Sequence, residues 1–133
     1  MKATARRANG KFTHDLEMRE HHLTADEPEE NGGDDEGPNP QELLAASLAS
    51  CTAITMEMYA KRKSWDIGEV VVNVNYEPAQ RGSPTKFSMD VRLPKELPEE
   101  QRERLMQIAA KCPVHRTLTS DPVVEMHHEV AGA

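Results

Sequence analysis

The stretch that most limits how this chain can fold is NPQELLAASLASCTAITMEMYAKRK, from Asn39 to Lys63. Asn39 is a favoured N-cap residue, Pro40 suits the first helical position, and Glu42 stands where a capping box needs a carboxylate. Lys61, Arg62 and Lys63 supply cations at the other end, where the helix dipole favours them. In between, Leu43 to Tyr59 is apolar or small on almost every side. A helix that is apolar all round must be covered all round. The sequence therefore predicts a long central helix buried by sheet or by another subunit. Ala45, Ala46, Ser47, Ala49 and Ser50 would let neighbouring backbones approach closely. Cys51 falls in mid-helix, on a face shared with Leu44, Ser47, Leu48, Ile54, Thr55 and Met58 by helical spacing.

The flanking segments alternate strand and helix signals. Lys2–Arg7 is strand-like, Asn9-Gly10 is a turn signal, and Lys11–Arg19 alternates with a period of two. Together they predict a hairpin. Thr24–Pro38 is acidic and rich in Gly and Pro, and reads as a solvated charge run in a loop. Ile67–Tyr76 and Lys86–Leu93 form a second hairpin around EPAQRGSPT. A second helix starts at Pro98 and packs Leu105, Ile108, Ala109 and Cys112 on one face. Pro113 ends it and leaves Cys112 at a helix terminus. Val123–Val130 reads as a last strand, on which one of His127 and His128 faces inward. The order ββ-α-ββ-α-β predicts an α+β fold, an antiparallel sheet with two helices in a single domain over residues 1–133. No internal repeat is visible.

Composition narrows the function classes. With 37% hydrophobic and 4% aromatic residues the core is lean, so a partner chain is expected to complete it. A net charge of −7, with acids crowded between Asp26 and Glu36, disfavours nucleic acid and anionic membranes as partners. Met1–Gly10 is not an apolar leader, so a soluble, cytoplasmic protein is expected. In a reducing compartment two cysteines are either inert buried thiols or a redox couple. Cys112 and His115 could form half of a zinc site, and His21, His22, His127 and His128 lie elsewhere in the chain. A second compact ligand pair is missing, so neither metal nor cofactor is expected. Met56, Met58 and Met106 read as core, and Trp65 as a cap on the apolar end of the central helix.

The segment GPNPQELLAASLASCTAITMEMYAKRKSW resembles the central-helix motif of the OsmC/Ohr family, and KCPVHRTL resembles its second cysteine motif. The likeness extends from Lys2 to Val130, with the two cysteines 61 positions apart. It implies an intertwined homodimer with a shared sheet and two active sites at the interface. It also implies reduction of organic hydroperoxides, with an external thiol or a lipoyl-type dithiol as reductant. By this resemblance Cys51 is the attacking cysteine and Cys112 the resolving one. The chemistry suits them: a thiolate attacks the O–O bond and a second thiol captures the sulfenic acid.

Family enzymes activate the attacking thiol with an arginine of the N-terminal hairpin, held by a glutamate ten residues before the cysteine. Here that position is Gln41, and Glu42 follows it. Arg6, Arg7 and Arg19 are the candidate arginines. Arg7, Gln41 and Glu42 thus stand as candidate activating or orienting residues. Gln41 in place of glutamate also raises a second reading, an OsmC-like dimeric binding or stress-associated protein with little peroxidase turnover.

Overall fold

The expected capping box forms at the start of the central helix. Asn39 Oδ1 accepts the Glu42 N–H at 2.8 Å, and Glu42 Oε1 accepts the Asn39 N–H at 2.9 Å. In this computed structural model, which describes residues 1–131, the helix α1 runs over Pro40–Arg62. Ser64, at φ 56°, turns the chain out of the helix, and Trp65 N–H returns to Ala60 O. The Trp65 ring meets Tyr59 edge to face at 5.6 Å, covering the C-terminal end of α1 as its position suggested.

The chain forms two compact units. The first comprises residues 1–50 and 71–92, the second residues 51–70 and 93 onward. In the first, β1 (Thr4–Arg7), β2 (His14–Met18) and β3 (His21–Ala25) make an antiparallel meander. Its register pairs Arg7 with His14, His14 with Ala25 and Met18 with His21. β3 is an element that the sequence reading did not give, and it takes in Thr24 and Ala25, the first two residues of the segment expected as a loop. The turn from β2 to β3 is only Arg19 and Glu20, with Arg19 at φ 55°. It contains none of the residues that announce a hairpin. β4 (Val71–Glu77) and β5 (Lys86–Arg92) form the expected second hairpin, with Tyr76 packed edge to face on Phe87 at 4.6 Å. The two hairpin systems are separate sheets rather than one.

The acidic segment is folded rather than merely solvated. Asp26 is buried and accepts bonds from Thr13 Oγ1 at 2.8 Å, Glu27 N–H at 2.7 Å and Glu36 N–H at 3.2 Å. Burial alone would push its carboxyl up, but these donors outweigh it and hold the group below the usual aspartate value. Asp34 ties the same loop to the meander by accepting the Lys11 N–H at 2.8 Å.

In the second unit α2 (Glu99–Ala109) buries Leu105, Ile108 and Ala109, as its spacing requires. Pro113 does not simply end that helix. It opens a third, α3 (Pro113–Leu118), for which Cys112 is the N-cap. The expected last strand over Val123–Val130 is absent among the described residues. Val123, Val124 and Met126 are 83–90% exposed and no strand pairs with them. His127 and His128 are likewise exposed, and His127 meets Glu125 at 3.8 Å. An isolated strand without an edge to pair with has no reason to form.

Burial of α1 also differs from the expectation. Leu48, Thr52, Met56, Tyr59 and Ala60 make one buried stripe, whereas Ile54 and Met58 are 53% and 57% exposed. Met106 is exposed as well, so of the three methionines assigned to the core only Met56 belongs to it. One chain with a lean core covers one stripe of a helix that is apolar all round. By length and composition α1 could also cross a membrane.

Candidate functional site

The site begins with where two sulfurs are carried. Cys51 lies in the middle of α1, half-buried, and Cys112 is fully buried in the turn between α2 and α3. Both are free thiols. A proline at the first position of α3 fixes the chain direction there, so the Cys112 side chain can act as the cap. Its Sγ accepts the His115 N–H at 3.3 Å, and its carbonyl accepts the Arg116 N–H at 3.1 Å.

The two thiols are neighbours, each shifting the ionisation of the other. Their environments push them in opposite directions. Burial raises the Cys51 thiol, and the neighbouring Cys112 raises it further; the Val114 N–H and the Thr55 hydroxyl offset only part of this. Burial also works against a Cys112 thiolate. There it is outweighed by the Cys51 S–H, the N–H groups of His115 and Val114, and the Thr52 hydroxyl, so the Cys112 thiol lies below its ordinary value. The pair is therefore a coupled acid: its first proton leaves more easily, the remaining one is held between two sulfurs, and its second leaves with more difficulty. The surroundings of the enclosed sulfur favour a negative charge there more than do those of the sulfur that solvent can reach.

Of the residues singled out in the sequence, Cys51 and Cys112 are brought together. Arg7, Gln41 and Glu42 belong to the first unit. Arg7 donates from Nη2 to Gly10 O at 3.0 Å, within its own hairpin turn. Gln41 lines a hollow of about 280 Å³ with Asn39, Ala45, Val74 and Tyr76. Glu42 is engaged in the capping box. Thr55, placed on the Cys51 face by its spacing, is a site group, and Thr52 and the Val114 N–H are site groups that sequence reasoning did not single out. A hydroxyl four residues after a helical cysteine was a usable signal for Thr55. Nothing local pointed to Val114, because α3 itself was not foreseen. His115 contributes its backbone to the site, and its ring Nδ1 is buried with no hydrogen-bond partner among the described residues.

The family model for OsmC-like protein matches residues 33–127, which takes in α1, both cysteines and the second hairpin. The chain belongs to the OsmC-like family. Solved structures agree on the fold. The OsmC-like protein of Mycoplasma pneumoniae superposes with a TM-score of 0.73 at 19% identity, covering 88% of this chain and 85% of that one. OhrB of Bacillus subtilis, an organic hydroperoxide resistance protein, gives 0.60 at 22% identity, with 90% of each chain covered. An organic hydroperoxide resistance protein OsmC from Legionella pneumophila gives 0.60 at 21%, over 89% and 88%. No curated protein matches the chain. The antiparallel α+β architecture expected from the sequence is thus that of the OsmC-like family.

Proposed function

We propose that this OsmC-like protein is a thiol-dependent peroxidase that reduces organic hydroperoxides through Cys51 and Cys112. The observation that carries this reading is the pairing of a half-exposed thiol with a buried one that stabilises negative charge. The buried sulfur cannot meet a substrate directly, but it can take the proton of its neighbour. Transfer of that proton leaves a Cys51 thiolate facing the peroxide. This thiolate attacks the distal peroxide oxygen and breaks the O–O bond, giving Cys51 sulfenic acid and an alkoxide that takes a proton from water and leaves as the alcohol. Cys112 then attacks the sulfenic sulfur, and a disulfide and water form. Two equivalents of an external thiol, or one dithiol of lipoyl type, restore both cysteines. The sum is one hydroperoxide and two thiols giving an alcohol, water and a disulfide. In this reading the protein works as a homodimer in the cytoplasm, where such reductants are maintained, and needs no bound cofactor.

A second reading, a dimeric binding or stress-associated protein with little turnover, is favoured by Gln41 and by the raised Cys51 thiol. One experiment separates the two. The reduced protein is treated with one equivalent of an alkyl hydroperoxide, followed by intact-mass measurement and thiol counting. Loss of both thiols and of two mass units supports the peroxidase, and Cys51→Ser should then consume no peroxide. Cys112→Ser should stop at a sulfenic acid that dimedone traps. Intact thiols beside surviving peroxide would leave only the binding reading.

A further inference from the structure

We propose that the outer face of the N-terminal meander is a binding site for a divalent first-row cation of the zinc type, held by Asp15, Glu17 and His22. Alternation along β2 places Asp15 and Glu17 on the same face, and the register sets His22 of β3 directly opposite Glu17. One ligand atom from each of the three lies within 4.8 Å of the other two. The His22 Nδ1 is already 3.0 and 3.1 Å from the two Asp15 carboxylate oxygens. Around a cation bound at 2.0–2.2 Å, adjacent ligand atoms stand about 3–3.6 Å apart, so small side-chain rotations complete the set.

The chemistry of the donors selects the ion. An imidazole beside two carboxylates suits zinc and its neighbours, whereas magnesium and calcium prefer oxygen throughout. Three protein ligands leave a fourth position open to water or to a ligand. Glu17 has Thr4 and His22 as its cross-strand neighbours, and Arg6, paired with Asp15 on the same face, offsets one of the two carboxylates. Two carboxylates two residues apart on one strand repel each other, and a dication between them removes that cost. The three side chains are carried by paired strands rather than by a loop, so little ordering is needed on binding. This site is independent of the thiol pair and of the peroxidase reading.

The test is calorimetric titration of chelator-stripped full-length protein with zinc chloride. Three variants accompany it: His22→Gln, Glu17→Gln, and Cys51→Ser with Cys112→Ser. One zinc per chain is expected, kept in the double cysteine variant and weakened about tenfold or more by His22→Gln or Glu17→Gln. Cobalt substituted at the site should show no thiolate charge-transfer absorption. Glu17 and His22 are exposed, so their substitution leaves the fold in place, and circular dichroism checks it. Absence of binding, binding lost with the cysteines, or binding untouched by His22→Gln would each overturn the proposal.

Discussion

A sulfur that caps a helix and a sulfur in mid-helix experience different fields, and the thiol pair gets its asymmetry from that difference. Cys112 collects N–H groups and the Thr52 hydroxyl, while Cys51 carries the burial cost with less compensation. Absorbance at 240 nm against pH should therefore show two thiolate steps, one below the ordinary thiol range and one above it. Thr52→Val keeps the shape of the buried side chain and removes its hydroxyl. It should move the lower step upward, and in the peroxidase reading slow the reaction with peroxide at neutral pH. A single step at the ordinary value would remove the coupling on which the proposed proton transfer rests. Asp26 sets a second residue-scale expectation. Its carboxyl titrates lower in the folded chain than in the unfolded one, so its stabilisation is complete above about pH 4 and is lost as pH falls through the folded value. Asp26→Asn should lower the melting temperature at pH 7 and narrow its gap to wild type at pH 2–3. An unchanged melting temperature at pH 7 would mean that the loop does not depend on Asp26.

At the scale of elements, what could be read was what local chemistry announces. The capping box at Asn39 and Glu42 marked the start of α1 to the residue, and Asn39→Ala should cost about 1 kcal/mol in chemical denaturation. Hairpins with glycine and proline turns, such as β4–β5, were visible for the same reason. The missed elements share a cause. β3 follows a turn of Arg19 and Glu20, two residues with no turn signature, and α3 begins at a proline that equally well ends a helix. Whether Pro113 stops one helix or starts another is decided by the N–H groups that Cys112 accepts, and no local pattern of residues displays that. The last strand fails in the opposite way. The apolar residues of VVEMHHEV are suited to a strand, but pairing requires an edge, and an edge is not a property of the segment itself. The thiol pair was legible as two cysteines in distinctive settings with Thr55 on the Cys51 face, and its amide partners were legible only once α3 existed.

For the whole molecule, the decisive fact is that α1 is apolar all round while a single chain buries one stripe of it. Ile54 and Met58 stand four residues apart on an uncovered face, each more than half exposed. Full burial of such side chains is worth about 1.5–3 kcal/mol apiece, so leaving them in water in every copy forgoes a large fraction of a small domain's stability. The proposed homodimer would cover this face by symmetry, with the same residues contributed twice. Sedimentation equilibrium of the wild type should then give twice the chain mass of 14.9 kDa. Ile54→Glu combined with Met58→Glu should shift it to the monomer. Because both side chains point away from the chain's own buried stripe, helical circular dichroism should persist in that variant. A monomeric wild type with intact helix content would show that the face is not a dimer interface. A dimer untouched by the two glutamates would place the interface elsewhere on the chain.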